Sequence, residues 1–407
     1  WLDYKINYQA TFAAQLMYLM VDTYEVMPWP DRIYQGLYRI AGTDQKERIP
    51  RSYSTQMQTM VNTLNDIRTS DKKITGTHGI GVLMANSLMF QRFPNHNGYD
   101  DPQFSSFYGQ TLPLLKRGIP VELVHMENTP FKETFKGLHI LVMSYSNMKP
   151  MEPEYHSYLA DWVKKGGVLI YCGEDVDPYQ TVLEWWNTEG NEYKAPSEHL
   201  FEQMNLSRNP GEGTYHYGKG TVIVMREDPK HFVLKAGNDQ KYFEAIASAY
   251  RKKLGKAIET KNNFIVERGP YTIAAVMDES VSEEPLTLSG LYIDLFDKDL
   301  PVLTSKQIQP GEQGYLYDLN KVSGKVKAKV LCGASRIYDE KVGKRSYSFV
   351  AKSPINTTNV SRVLLPCKPE KVQVNGKEEQ PEWDESSKTL LLSFENDPAG
   401  VNVSIVW

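Results

Sequence analysis

The apolar positions of the first 80 residues recur mainly at helical spacing. Residues 5–20 predict a helix that runs into a short strand near 20–26. A second helix is predicted over about 55–69, where the apolar residues at helical spacing are Met57, Met60, Val61, Leu64 and Ile67. The polar stretch 69–78 predicts a linker to whatever follows.

Between residues 79 and 254, short apolar runs alternate with helical patterns. The runs that predict buried strands are 79–85, 119–125, 138–144, 168–172 and 221–225. The helices predicted between them are 104–117, 153–165 and 241–254. Because buried strands alternating with helices are typical of parallel sheets covered on both faces, this region predicts a three-layer, mostly parallel α/β domain.

From about residue 260 the pattern changes to short strands separated by turn residues. The strands predicted are 264–267, 271–277, 286–295, 314–319, 326–331, 346–351, 360–365, 371–374, 389–394 and 401–406. Asn375-Gly376 between two of them is a strong hairpin signal. We therefore predict an all-β domain, a β-sandwich, over 259–407, after an α/β domain over 77–258 and an N-terminal segment over 1–76.

Composition excludes some classes of function. The chain has 407 residues, with 24% charged residues and a formal net charge of -4, so it has no basic footprint for nucleic acid. No run of 18 apolar residues exists, which predicts no membrane span. The first residues do not form a signal peptide, so the expected location is cytoplasmic, or periplasmic or secreted if a signal was removed upstream.

The segment from Val21 to Arg32 concentrates chemistry suited to a sugar. Pro28 and Pro30 force the chain out of any regular element. Aromatic rings stack on the C–H faces of sugars, while acids and arginine bond to hydroxyl groups. The candidate substrate-binding residues are Tyr24, Trp29, Asp31 and Arg32, and the candidate catalytic residue is Glu25.

The role of Glu25 depends on a count of elements. Retaining glycosidases need two carboxyl groups about 5–5.5 Å apart, and in a (β/α)8 barrel these stand at the carboxyl ends of strands. Only one clear helix follows Glu25 before the next domain, which makes its strand the eighth and last. Glu25 is then a pocket or structural acid, with the catalytic pair upstream of Trp1; if the count is wrong by one, Glu25 is the nucleophile.

Three other motifs have both a functional and a plain interpretation. Gly79-Ile-Gly81 lacks the third glycine of a dinucleotide loop, because Met84 stands there. The polar residues between Asn86 and Asp101 follow a strand and would suit a calcium or sugar site, or form only a polar loop. We expect no bound cofactor and no metal.

The loop after the strand at 168–172 has a thiol followed by acids. Cys172 is disfavoured as a nucleophile because Glu174 and Asp175 would raise the pKa of its thiol. The acids, including Asp177, would bind a cation or simply be solvated. Cys172, Cys332 and Cys367 are scattered and predict free thiols without a disulfide framework.

One stretch of this region resembles a known family. The residues Leu138-His-Ile-Leu-Val-Met-Ser-Tyr and Met151-Glu-Pro-Glu-Tyr-His-Ser-Tyr-Leu-Ala-Asp-Trp-Val-Lys-Lys-Gly-Gly-Val-Leu-Ile-Tyr give a strand, a helix ending in Gly-Gly and another strand. This resembles the amidotransferase-like domain that follows the barrel in family 42 glycoside hydrolases, the bacterial β-galactosidases.

The resemblance implies an order of barrel, flavodoxin- or amidotransferase-like α/β domain and C-terminal β domain. It also implies that the α/β domain has no amidotransferase activity and contributes to homo-oligomers. Residues 1–76 would then be the last βα piece of a (β/α)8 barrel. The sequence departs from the family in two respects, because seven barrel strands are absent and the terminal β domain is longer.

Three functions follow as expectations. The first is the C-terminal part of a glycoside hydrolase acting on carbohydrate, with a β-galactoside as one substrate, in which this chain lacks the complete catalytic pair. The second is a non-catalytic carbohydrate-binding or oligomerisation module, with residues 1–70 packed as a helical appendage. The third is an amidotransferase-type or esterase enzyme, for which the sequence offers no histidine grouped with Cys172.

Overall fold

The computed structural model describes residues 2–25, 31–67, 70–89, 104–322 and 324–407. The chain divides into two compact units. The first comprises Trp1–Thr75, Asn263–Asp278 and Glu283–Trp407, and the second comprises Gly76–Asn262 and Glu279–Ser282. The division into three domains at 1–76, 77–258 and 259–407 stays a prediction.

Over its described residues, the N-terminal part of the first unit contains three helices and three short strands. They are α1 (Leu2–Met17), α2 (Asp31–Tyr34), β1 (Leu37–Arg39), β2 (Lys46–Arg48), α3 (Arg51–Ile67) and β3 (Lys72–Ile74). The strand predicted near 20–26 is wrong over the described residues, because 18–25 have no strand. The linker predicted over 69–78 is also wrong, because β3 lies within it.

The second unit is built on a six-stranded sheet. Its elements are β4 (Ile80–Met84), α4 (Ser105–Leu115), β5 (Glu122–His125), β6 (Ile140–Met143), α5 (Glu154–Lys164), β7 (Val168–Cys172), α6 (Pro196–Gln203), β8 (Gly213–Tyr217), β9 (Gly220–Met225), α7 (His231–Leu234) and α8 (Gln240–Leu254). The strand order is β5-β4-β6-β7-β9-β8. Neighbouring strands are parallel except for β8, which runs antiparallel to β9.

Both faces of this sheet are covered, which explains its continuous apolar strands. Successive side chains of a strand point to opposite faces. Leu141 and Met143 of β6 accordingly belong to one buried cluster, together with Leu159 of α5. Ile140 and Val142 belong to another, with residues of α4 and α8. The alternation seen in the sequence therefore indicated the right class of sheet.

The first unit continues with a six-stranded antiparallel sheet. Its further strands are β10 (Asn263–Arg268), β11 (Tyr271–Val276), β12 (Leu286–Asp294), β13 (Val302–Ile308) and β14 (Gln313–Asp318). The order is β13-β12-β14-β11-β10-β3, so the edge strand comes from the N-terminal part of the chain. Helices α1 and α3 pack on this sheet, where Leu16 and Met60 share a cluster with Ile273.

Nine more strands complete the chain. They are β15 (Lys329–Gly333), β16 (Arg336–Val342), β17 (Ser346–Lys352), β18 (Thr358–Leu364), β19 (Lys371–Val374), β20 (Lys377–Glu379), β21 (Glu382–Asp384), β22 (Thr389–Glu395) and β23 (Val401–Val406). They form two antiparallel sheets, β15-β18-β22-β21 and β16-β17-β23-β19-β20. Leu392 of one sheet and Ile405 of the other belong to a single buried cluster.

The hairpin predicted at Asn375-Gly376 is confirmed. β19 and β20 pair on either side of these two residues. Asn375 has φ 47° and Gly376 has φ 78°, the positive values that the common two-residue hairpin turn requires. Asparagine and glycine are the residues that adopt them at the lowest cost.

At the level of fold class, α/β plus all-β is confirmed. The described residues combine a mostly parallel, helix-covered sheet with antiparallel sheets. The finer assignments, namely a flavodoxin- or amidotransferase-like domain, a β-sandwich and the last βα piece of a barrel, stay predictions.

Candidate functional site

Tyr24 and Glu25 lie in an irregular segment that follows α1. Tyr24 is half-buried against the cluster that α1 and α3 share with the antiparallel sheet. Its hydroxyl donates to the carbonyl oxygen of Val21 at 2.8 Å, and burial raises the pKa of this hydroxyl. Glu25 is exposed. The segment thus combines a fixed aromatic ring with a carboxylate open to solvent.

The guanidinium of Arg268 holds the start of this segment. Its Nε donates to the carbonyl oxygen of Leu16 at 2.7 Å, and Nη2 donates to that of Tyr18 at 2.7 Å. Nη1 donates to the carbonyl oxygen of Val21 at 3.0 Å. Arg268 is fully buried, so these bonds replace the water that the cation would otherwise bind.

Asp31 and Arg32 lie on the short helix α2. Both are exposed, and they line a cavity of about 390 Å³ together with Gln35, Gly36, Leu37 and Tyr38. The hydroxyl of Tyr38 donates to the carbonyl oxygen of Arg32 at 2.7 Å, so two of the lining residues are bonded to each other. A carboxylate, a guanidinium and an aromatic ring on one cavity suit a small polyhydroxylated ligand.

The structure brings some of the predicted site residues together. Asp31 and Arg32 line the same cavity, whereas Tyr24 and Glu25 are not among its lining residues. Trp29 lies outside the described residues, as do its neighbours 26–30. The assignment of the five residues to one sugar site therefore stays a prediction.

The carboxyl edge of the parallel sheet contains a second group of polar residues, and most of them are buried. Lys149 Nζ contacts Asp177 Oδ2 at 2.8 Å and donates to the carbonyl oxygen of Tyr145 at 2.6 Å. Ser146 Oγ donates to Asp228 Oδ1 at 2.5 Å, and the backbone N–H of Glu174 donates to the same oxygen at 3.1 Å. These contacts fill the edge at which open α/β sheets usually bind ligands.

Asp175 of the acidic loop is also paired. It accepts hydrogen bonds from Tyr171 Oη and from Ser197 Oγ, the latter at 2.8 Å, and it contacts Arg226 Nη1 at 2.9 Å. Burial raises the pKa of Asp175, and these partners oppose that rise. Asp175 and Asp177 are therefore bound within the protein, which contradicts the expectation of a solvated loop for these two residues, whereas Glu174 is exposed.

Cys172 is the last residue of β7 and is fully buried. Burial raises the pKa of its thiol, and the charge of Glu227 raises it further. Thiolate is the nucleophilic form of cysteine, so this environment opposes nucleophilic chemistry. The sequence analysis attributed a raised pKa to Glu174 and Asp175, whereas in the structure burial is the main cause and the contributing charge is that of Glu227.

Two histidines of the second unit contact each other, and the sequence analysis missed them. His156 Nδ1 lies 2.8 Å from His199 Nδ1, and His156 Nε2 is hydrogen-bonded to Tyr145 Oη. His156 is fully buried on α5, where it shares the buried face with Leu159, Ala160 and Val163. The spacing i, i+3, i+4, i+7 was the available signal.

The described part of the chain has neither a cluster of metal ligands nor a helix suited to span a membrane. No three histidine, cysteine, aspartate or glutamate side chains there are grouped to hold a metal ion. Of the loop residues predicted to suit calcium or sugar, 95–101 lie outside the described ranges, and Asn86 is exposed. None of the helices described is long and apolar enough to cross a bilayer.

Comparisons with known proteins give a coarse similarity to glycoside hydrolases. No known protein family and no curated protein matches this sequence. Solved structures that match include a β-galactosidase from Bacillus circulans sp. alkalophilus, with 10% identity, 64% of this chain and 44% of that chain covered, and a TM-score of 0.37. A β-galactosidase from Halorubrum lacusprofundi matches with 14% identity, 63% and 42% coverage and a TM-score of 0.35.

A rhamnosidase from Novosphingobium sp. PP1Y matches over 86% of this chain and 36% of its own, with 9% identity and a TM-score of 0.31. The chain thus spans about two fifths of the length of these structures.

Proposed function

We propose that this chain is the C-terminal part of a glycoside hydrolase acting on carbohydrate, with β-galactosides as its substrate class. In this proposal the α/β unit supports the enzyme and has no catalytic role. The observation that carries it lies at the carboxyl edge of the parallel sheet. The protein's own side chains fill this edge, where Lys149 and Asp177 form a buried ion pair.

An occupied edge supports this role for a physical reason. Ligands of open α/β sheets bind beyond the carboxyl ends of the strands. Here Asp177 and Asp228 are engaged by Lys149 and Ser146 at that edge, and burial suppresses the thiolate of Cys172. This agrees with the resemblance to an amidotransferase-like domain that has lost its original activity. It also argues against an amidotransferase or esterase centred on Cys172.

The sugar site of the proposal lies in the N-terminal segment. Tyr24 and Trp29 would stack on the sugar, while Asp31 and Arg32 would bond to its hydroxyl groups. Glu25 would be a pocket carboxylate and not a member of the catalytic pair. Hydrolysis needs two carboxyl groups at a defined separation, and in this proposal the pair belongs to another part of the enzyme. The chain would then bind sugar without completing the catalytic pair.

A second candidate is a non-catalytic module for carbohydrate binding or oligomerisation. The observation that favours it is the packing of the N-terminal helices. Most of α3 is buried, and Phe12 and Leu16 of α1 enter the same cluster as Met60 and Ile67 of α3. Such packing is expected if the helices belong to the β unit as an appendage.

The experiment tests turnover and binding together. The chain is incubated with 4-nitrophenyl β-D-galactoside, and methyl β-D-galactoside is titrated and followed by NMR. We expect no release of nitrophenol, and weak binding that Asp31→Asn and Arg32→Ala both abolish. Arg39→Ala is the matched control, because Arg39 is an exposed arginine of β1 that pairs with Asp44.

Two results would contradict the first proposal. Turnover by the chain alone would show that it contains a complete catalytic pair. Absence of binding to β-galactoside, with a larger mass in sedimentation than that of one chain, would favour the oligomerisation module instead.

A further inference from the structure

We infer that Lys72 and Arg268 form a clamp that positions Tyr24 and Glu25, so that both cations are positioning residues for the N-terminal sugar site. Only the link to sugar rests on the proposed function. The clamp itself is argued from hydrogen bonds and strand register within the first unit.

The first half of the clamp is Arg268 at the end of β10. Its guanidinium donates to the carbonyl oxygens of Leu16, Tyr18 and Val21, at distances between 2.7 and 3.0 Å. The last carbonyl groups of a helix have no partner within it, so the end of α1 needs outside donors. Guanidinium carries five N–H groups in one rigid plane, which allows one side chain to hold three points of the backbone.

The second half is Lys72 on β3. Its Nζ donates to the carbonyl oxygen of Leu19 at 3.3 Å and contacts Asp22 Oδ2 at 3.4 Å. Leu19 lies between Tyr18 and Val21, which Arg268 holds, and Asp22 follows Val21 directly. The two cations together therefore contact five residues of the segment 16–22.

Strand register explains why the two cations act on the same segment. Lys72 is directly opposite Arg268 in the antiparallel pair of β3 and β10. Side chains directly opposite each other in such a pair lie on the same face. The short strand β3 thus has a specific effect, because it sets an ammonium beside a guanidinium on the face against which the end of α1 packs.

Tyr24 is tied to the clamp through Val21. The carbonyl oxygen of Val21 accepts from Arg268 Nη1 and also from the hydroxyl of Tyr24. The backbone N–H of Val21 donates to the carbonyl oxygen of Tyr18, which Arg268 Nη2 also holds. Fixing these two carbonyl groups positions the aromatic ring of Tyr24 and the backbone that leads to the exposed residue Glu25.

The test measures hydrogen exchange of the backbone amides of residues 18–25. The variants are Lys72→Met and Arg268→Lys, and the matched control is Lys73→Met. Lys73 is exposed, and it neighbours Lys72 on the opposite face of β3. We expect exchange in 18–25 to be about tenfold faster in Lys72→Met and Arg268→Lys, because each loses charge-assisted hydrogen bonds.

The exchange of amides in β17 and β23 serves as the internal reference. We expect it to be unchanged in all three variants, and we expect Lys73→Met to match the unmodified chain throughout. Equal acceleration across the whole unit, or no acceleration in 18–25 for Lys72→Met, would overturn the clamp. Lys72→Met tests it even if Arg268→Lys fails to fold, because Lys72 is only half-buried.

A binding measurement separates the clamp from the proposed function. Titration with methyl β-D-galactoside should show weaker binding in Lys72→Met and recovery in Lys72→Arg, which restores the cation. If the unmodified chain binds no galactoside while exchange in 18–25 responds as expected, the proposed function fails and the clamp stands. If the unmodified chain binds galactoside and Lys72→Met binds equally well, the positioning role is overturned.

Discussion

Lys149 and Asp177 show how burial changes the contribution of an ion pair. Their side chains are 4% and 3% exposed, and burial lowers the pKa of Lys149 while the charge of Asp177 opposes that effect. Asp177 also accepts from the backbone N–H of Tyr179 and from Gln180 Nε2, each at 3.0 Å. With its hydrogen bonds made, the pair is stable, but either partner alone would be a buried, uncompensated charge.

Replacing Lys149 by methionine should therefore destabilise the second unit. Because Lys149→Met leaves Asp177 buried without its cation, we expect the free energy of unfolding to fall by about 3–5 kcal/mol. Urea unfolding followed by circular dichroism measures the change.

The matched control is Lys165→Met. Lys165 pairs with Asp161, but the two side chains are 73% and 56% exposed, so the loss should stay below about 0.5 kcal/mol. Equal losses in the two variants would contradict the role assigned to burial.

For single residues, the sequence identified the ionisable side chains but not the residues with which they pair. The acids of the loop after β7 were recognised, and a solvated or cation-binding role followed from their sequence neighbours alone. Asp177 is in fact paired with Lys149, 28 residues away, and Asp175 with Arg226, 51 residues away. Periodicity carries no information about such pairs, because it describes only the element in which a residue lies.

Helices α5 and α6 are joined by the contact between His156 and His199. Trp185 lies edge-on to both rings, at 5.6 and 5.3 Å between centroids. Burial lowers the pKa of His156 well below its usual value, and the charge of His199 lowers it further. Burial also lowers the pKa of His199, with the charge of Glu202 opposing it. Both rings are therefore neutral in the folded protein near pH 7.

The contact between His156 and His199 should make the stability of the second unit sensitive to acid. The unfolded chain titrates histidine near pH 6.5, above the folded pKa of His156. As pH falls below about 6.5 the unfolded state binds more protons, so the free energy of unfolding falls; above that pH the stabilisation is fully present. For His156 the slope is at most about 1.4 kcal/mol per pH unit.

Urea midpoints measured between pH 7.5 and 5.0 test this expectation. The double variant His156→Gln with His199→Gln should show a flatter profile than the unmodified chain. The exposed residue His216 on β8 offers the control, and His216→Gln should leave the profile unchanged. If the urea midpoint of the double variant depends on pH as steeply as that of the unmodified chain, the two histidines are not the cause of the acid sensitivity.

Elements with strong periodicity were predicted well, and short polar strands were missed. The strand predicted at 168–172 matches β7, and the helix predicted at 153–165 contains α5. By contrast, β16 is mostly exposed and β3 has only three residues. Their strand character depends on their partners, β17 and β10, and no local pattern of apolar residues indicates it.

The whole molecule has two compact units with separate buried clusters. Because each unit has its own core, we expect two unfolding transitions in urea. Lys149→Met should shift only the transition of the second unit. Leu392→Ala should shift only the other, by about 2–5 kcal/mol, because Leu392 is fully buried in the cluster of the C-terminal sheets.

Unit-specific probes decide the outcome. Hydrogen exchange in β6 reports on the second unit and exchange in β23 on the first. A single transition that both substitutions shift equally would contradict independent unfolding.

Because the first unit is discontinuous in sequence, only part of the candidate site could be predicted from the sequence. Asp31 and Arg32 were recognised from their chemistry, and they do share a cavity. Arg268 was not recognised, because a buried arginine at the end of a strand has the same sequence pattern as an exposed one. Its contact with Leu16 spans 252 residues, and only the folded sheet brings the two together.

The edge position of β3 has a consequence for synthesis on the ribosome. Between β3 and its partner β10 the chain inserts the second unit, roughly 190 residues. At about 5–20 residues per second, β10 emerges about 10–40 s after β3. During that interval Phe12 and Leu16 of α1 lack the sheet that buries them in the finished protein. We therefore expect the apolar faces of α1 and α3 to remain incompletely buried until β10 emerges, while the inserted unit can fold before then.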